Sequence, residues 1–209
     1  MHIYAFGSIC RGDISVDSDI DLLALVEGRD SRINPDKFSI YSYARIRELW
    51  ELGNAFAWHL SLESRLVYSA DGSDFLKSLG EPSNYTEGAA DCSKFRNIFD
   101  SSFRSIKKGS PSLVFELSTI FLALRNISTC YSLARMNIPT FGRDSARRLG
   151  PRSLNIDDDV YYLLMQARLL STRGVGESVS EIDLTVVIPE LERCRSWIDE
   201  ICHEVNIDG

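Results

Sequence analysis

The chain has 209 residues, enough for one large or two small domains. With 44% hydrophobic and 25% charged residues, its composition is that of a globular protein rather than a disordered one. The net charge of −7 argues against a broad nucleic-acid surface, which needs clustered Lys and Arg, though a small local basic patch remains open. No run of about 18 apolar residues predicts a transmembrane helix. The start, Met1-His2-Ile3-Tyr4, lacks the basic and apolar regions of a secretory signal, so a cytoplasmic protein is expected. The five cysteines (Cys10, Cys92, Cys130, Cys194 and Cys202) form no CxxC pair, and with three histidines they show no zinc spacing. Reduced thiols are the plain expectation.

In chain order, the first 80 residues predict mixed strand and helix. Ile3-Tyr4-Ala5-Phe6 is a short apolar run stopped by Gly7-Ser8, and Ile20 to Val26 is a second run ended by Gly28. Phe38-Ser39-Ile40-Tyr41 is a third strand candidate. Ile46, Leu49, Trp50, Phe56 and Leu60 follow at helical spacing, interrupted at Gly53-Asn54, and Arg65-Leu66-Val67-Tyr68 predicts a last strand. Residues 80–87 are the expected linker. Beyond it, Phe95 to Ile106, Leu113 to Tyr131, Val160 to Leu170 and Leu191 to Val205 carry apolar stripes at 3.6 spacing. Ser110-Pro111 is expected to open the second of these helices and Pro189 the fourth. The expectation is an α+β chain, with a small mixed-sheet domain over residues 1–80 and an all-α bundle over 88–209. Residues 1–85 hold eight basic and 13 acidic side chains, and the remainder 15 and 17. Acid concentrated in the first part suits a metal site better than a site for phosphate alone.

The chemistry-bearing stretch is Phe6-Gly7-Ser8-Ile9-Cys10-Arg11-Gly12-Asp13, followed by Ser18-Asp19-Ile20-Asp21-Leu22. Asp19 and Asp21 are two apart at the start of an apolar run, which puts both carboxylates on one side of a strand. Side by side they repel unless a cation lies between them. Oxygen ligands of this kind suit Mg²⁺, which keeps substrate phosphate and water as further ligands. A glycine at Gly7 lets backbone N–H groups approach a phosphate, and the Ser8 hydroxyl adds a donor. Arg11 is either a further phosphate ligand or a surface arginine.

Gly7-Ser8 with Asp19-Ile20-Asp21 resembles the signature of the nucleotidyltransferase superfamily that includes polymerase beta and the kanamycin nucleotidyltransferases. The Arg11-Gly12-Asp13 that follows the turn resembles its bacterial minimal branch. The resemblance implies that Gly7 and Ser8 hold the terminal phosphates of an NTP, ATP foremost, and that Asp19 and Asp21 hold Mg²⁺. It also implies a third carboxylate on the next strand. Lys37 falls at the expected position, and Asp36 is one residue away, on the opposite face unless a bulge intervenes. By analogy with the kanamycin enzyme, Glu116 of the helical part is the candidate catalytic base.

A second stretch, Phe56-Ala57-Trp58-His59-Leu60 with Glu63, is similar to one found after the third strand in a group of bacterial proteins with this domain. His59 and Glu63 form either a plain i,i+4 pair on a helix packed against the sheet or part of the catalytic apparatus. The helical part resembles the bundles that accompany such domains, including HEPN domains. HEPN ribonucleases place a histidine after an arginine with four to six residues between them. Arg125 meets no histidine at Cys130, Tyr131 or Ser132, so ribonuclease activity is not expected. Arg143, Arg147 and Arg148 form either a local basic patch or a solvated face. Relatives often carry a helix before the first strand. Its lack here implies a more open pocket or sheet edge, or cover from a protein partner or second copy.

Two functions follow from the resemblance. One is Mg²⁺-dependent transfer of a nucleoside monophosphate from NTP to a hydroxyl of a small molecule, protein or tRNA. The other is a catalytically weak nucleotide-binding or regulatory partner, as in toxin–antitoxin or phage-defence pairs, which Lys37 favours.

Overall fold

The computed structural model describes residues 1–13, 20–28, 30–174 and 183–206. The chain divides into two compact units, Met1–Tyr85 and Thr86–Gly209. The first runs β1 (His2–Phe6), α1 (Ser8–Arg11), β2 (Asp21–Val26), β3 (Ser39–Ser42), α2 (Tyr43–Glu51), α3 (Ala55–Glu63), β4 (Ser64–Ser69) and α4 (Phe75–Ser78). The strands form one mixed sheet in the order β3-β2-β1-β4. β1 is antiparallel to both β2 and β4, and β3 is parallel to β2.

Alternation along β1 buries His2, Tyr4 and Phe6 on one face. The register sets Tyr4 opposite Leu23 and His2 opposite Leu25, so these side chains share that face. There they meet Ile46, Leu49 and Trp50 of α2, Ala57 and Leu60 of α3, and Phe75 and Leu76 of α4 in one core. Each large side chain fully buried here contributes about 1.5–3 kcal/mol over leaving it in water.

The single interrupted helix expected over Ile46–Leu60 is two helices. Gly53, at φ +60°, turns the chain between them, and the Asn54 side chain accepts the Phe56 N–H at 2.9 Å to cap α3. A Cβ on Gly53 would lie 2.3 Å from the carbonyl oxygens of Ser83 and Asn84. The first part of the expected linker is thus fastened to this corner. The Trp50 and Trp58 indoles donate to the Gly80 and Ser83 carbonyls at 3.0 Å, and the Ser83 N–H donates to the Trp50 carbonyl.

The second unit comprises α5 (Gly88–Lys107), α6 (Leu113–Arg135), two 3₁₀ turns (Ser145–Arg147 and Gly150–Arg152), α7 (Asp158–Arg173) and α8 (Leu184–Asn206). α6 is central, packed by α5, α7 and α8, with Leu117, Ile120, Leu124 and Ile127 fully enclosed. Its Ser128, Thr129 and Ser132 hydroxyls are also buried and donate to carbonyls of their own helix. By length and composition α6 is long and apolar enough to cross a membrane, contrary to expectation, but it is also a core helix with 56% of its apolar window buried.

Two predicted helix starts move. α6 begins at Leu113 rather than at Pro111, with Ser112 at its N-cap in non-helical backbone at φ −110° and ψ 52°. Ser110 still accepts the Ser112 N–H and donates to Glu116. α8 begins at Leu184 and holds Pro189 inside it, where the proline has no N–H to donate to the Thr185 carbonyl and its ring crowds that carbonyl.

Candidate active site

The site is built where β1 ends. Gly7 takes φ +75° and ψ −137°, a conformation essentially reserved for glycine. Its N–H donates to the Glu63 carbonyl at 3.0 Å, tying the turn to the end of α3. Its own carbonyl accepts the N–H groups of Cys10 and Arg11, which winds the chain into the single turn of α1. Gly12, at φ +82°, closes that turn.

Asp21 lies opposite Phe6 in the β1–β2 register, which brings its carboxylate over the turn. A Cβ built on Gly7 would lie 2.9 Å from Asp21 Oδ2 and 3.9 Å from His59 Nε2. Gly7 is therefore bare because a carboxylate occupies the space beside it. His59 Nε2 lies 2.9 Å from Glu63 Oε2, the i,i+4 pair of α3. The same carboxylate oxygen accepts Arg11 Nη1, while Arg11 Nε donates to Asp13 Oδ2 at 2.8 Å. The His59 ring is wedged edge-on against Phe6, with centroids 5.7 Å apart. Arg11 thus holds two carboxylates, Asp13 and Glu63, while a third, Asp21, stands beside the Gly7 turn, and Arg65 adds a second cation near Cys10. Burial pushes the nearby Cys10 thiol up, leaving it protonated at neutral pH.

Gly7, Ser8, Arg11 and Asp21 come together at this end of the sheet. Asp19 lies outside the described residues. Asp36 sits exposed in the turn before β3, its N–H bonded to the Asn34 side chain at 2.9 Å. The β2–β3 register pairs Leu23 with Ser39. Carried back two residues, the same offset sets Lys37, not Asp36, opposite Asp21. Glu116 lies in the first turn of α6 and accepts the Ser110 hydroxyl at 3.3 Å. Among the described residues no three His, Cys, Asp or Glu side chains form a group able to hold a metal ion. Sequence reasoning missed Glu63 as the hub of the cluster. Its i,i+4 spacing from His59 was legible, but its bonds to Arg11 and Gly7 span the whole unit.

In the helical unit, Arg147 stacks over the Tyr161 ring at 4.1 Å and pairs with Asp158 at 2.6 Å. Arg148 pairs with Asp144 at 2.5 Å. Of the candidate basic patch, these two guanidiniums are already matched by acids of the same unit.

Residues 2–79 match the family model of the nucleotidyltransferase domain, so the N-terminal unit carries such a domain, and a helical region follows it. The match supports nucleotidyl transfer as the general class of reaction. No curated protein and no solved structure matches the chain.

Proposed function

We propose that the chain transfers a nucleoside monophosphate from an NTP, ATP foremost, to a hydroxyl acceptor and that Mg²⁺ is required. The observation that supports this most is the Asp21 carboxylate packed against the Gly7 turn inside the matched domain. Gly7 and Ser8 receive the terminal phosphates, and Arg11 binds the same anion. The acceptor oxygen forms a bond to the α-phosphorus as the α–β phosphoanhydride breaks, and pyrophosphate leaves with the bonding electrons. The proton of the acceptor hydroxyl passes to a carboxylate base, for which Glu116 is the candidate.

Asp21, exposed beside the turn, offers oxygen donors of the kind a hard divalent cation takes. Asp21 with Asp19 would hold it, Asp36 being the further candidate. Bound there, Mg²⁺ supplies charge neutralisation for the triphosphate. Calorimetric titration with ATP and with GTP, each with and without Mg²⁺, tests the reading. Metal-dependent binding that is lost in Asp19→Ala/Asp21→Ala supports it, and no binding under any condition overturns it.

Lys37 favours a second reading, in which the domain binds nucleotide without turnover and regulates a partner protein. Lys37 stands in the turn before β3, at the position the resemblance reserves for the third carboxylate, and an ammonium there would oppose a metal ion. Binding without pyrophosphate release across small-molecule, protein and tRNA acceptors would select it.

A further inference from the structure

Arg11 is the one residue of the phosphate turn with a formal positive charge, and two carboxylates already hold it. Asp13 takes its Nε and Glu63 its Nη1. The two grips differ in kind. Asp13 is nearly half exposed, and it shares the short loop of Arg11. Glu63 is largely enclosed, at 13% side-chain exposure, and comes from α3, 52 residues away in sequence. Its carboxylate also lies 2.9 Å from His59 Nε2, and its main-chain carbonyl accepts the Gly7 N–H at 3.0 Å. An enclosed charge pair is screened far less by solvent and salt than an exposed one.

We propose that Glu63 is a positioning residue that parks Arg11, and that an entering triphosphate takes the guanidinium from Glu63 by exchange of ion-pair partners. The proposal rests on the reading of Gly7, Ser8 and Arg11 as the phosphate site. A phosphate oxygen and a carboxylate oxygen compete for the same planar N–H groups, so one displaces the other. The backbone of Glu63 stays in place when its side chain loses Arg11, because its carbonyl holds the Gly7 N–H. The turn keeps its shape while its cation changes partner. Nucleotide affinity is thereby set below what Arg11 alone would give, and the unengaged arginine is kept from other anions.

The test is a double-mutant cycle read by calorimetric titration with ATP and Mg²⁺, on the full chain. Glu63→Gln keeps the size of the side chain but loosens the grip on Arg11. It is expected to bind ATP about tenfold more tightly, the scale of one charge-assisted bond weakened to a neutral one. Arg11→Ala is expected to bind more weakly, and Glu63→Gln in that background to change nothing further. Asp13→Asn, on the exposed side, should tighten binding less than Glu63→Gln. Unchanged or weaker binding by Glu63→Gln overturns the parking role, as does a gain that survives Arg11→Ala. A wild-type chain that binds ATP–Mg²⁺ while Glu63→Gln shows no gain leaves the nucleotide reading standing and removes only this inference. A wild-type chain that binds no nucleotide removes both.

Discussion

At its first residue β1 carries His2, only 3% exposed. His2 Nδ1 lies 2.7 Å from the Tyr43 hydroxyl, and Nε2 lies 3.1 Å from Ser73 Oγ and 3.3 Å from Asp71. Asp71 in turn accepts the hydroxyls of Ser69 and Ser73 and the Ser73 N–H. At the other end of the strand, Gly7 faces Asp21, with His59, Glu63 and Arg11 beside it. Both ends pair a histidine with a carboxylate. At the His2 end donors and acceptors answer one another and pin β1 to α2 and to the loop before α4. At the Gly7 end two carboxylates share the Arg11 guanidinium, a third stands beside the turn, and the backbone is bent into a glycine-only shape. The first arrangement serves folding, and the second gathers charge at a glycine-shaped turn, as the proposed nucleotide site would need.

The largest effect should come from Asp21→Ala. Loss of this carboxylate is expected to lower any nucleotidyl transfer by at least about 100-fold, the scale of removing one electrostatic stabiliser of a transition state. Transfer that survives the substitution would break the division between the two ends. Gly7→Ala comes next. Its new Cβ would meet Asp21 Oδ2 at 2.9 Å from a backbone at φ +75°, so a loss of about 1–3 kcal/mol in urea is expected together with loss of nucleotide binding. His2→Phe sharpens the comparison from the other side. It leaves the buried Tyr43 hydroxyl without its partner and should cost about 1–3 kcal/mol. ATP–Mg²⁺ affinity should nevertheless match that of the wild-type chain. A His2 variant that folds normally yet loses nucleotide binding would show that the two ends are coupled through β1.

Much of this was legible in the residues, for reasons that also mark where legibility stops. Ile3 to Phe6 and Ile20 to Val26 read as strands because each is a short apolar run closed by glycine, and both are strands. Gly7-Ser8 and Asp21 could be named as site candidates because their residue types suit phosphate and cation. That Asp21 lies against Gly7 depends on the antiparallel register pairing it with Phe6, a long-range choice that local spacing does not encode. The Glu63–Arg11 bond escaped for the same reason. The break between α2 and α3 was visible at Gly53-Asn54, but its cause, the Ser83 and Asn84 carbonyls pressed onto Gly53, lies 30 residues downstream. Pro189 misled because proline commonly opens a helix, whereas here it sits one turn inside α8.

The smallest effect concerns Asp71, and its sign follows from its hydrogen bonds. The Ser73 hydroxyl and N–H, with the Ser69 hydroxyl, hold this carboxylate well below the usual aspartate range. A group whose pKa is depressed by folding contributes stability that is complete above its unfolded value, about 4. That contribution fades as pH falls through the lower folded value. Asp71→Asn keeps an acceptor oxygen for the serines but cannot ionise. Its urea midpoint should therefore lie slightly below that of the wild-type chain at pH 7, and the two should converge as the pH is taken below 4. Curves that stay parallel down to acid would mean that Asp71 ionisation adds nothing at the His2 end. The network there would then rest on neutral hydrogen bonds alone, and the contrast with the charged Gly7 end would be wider still.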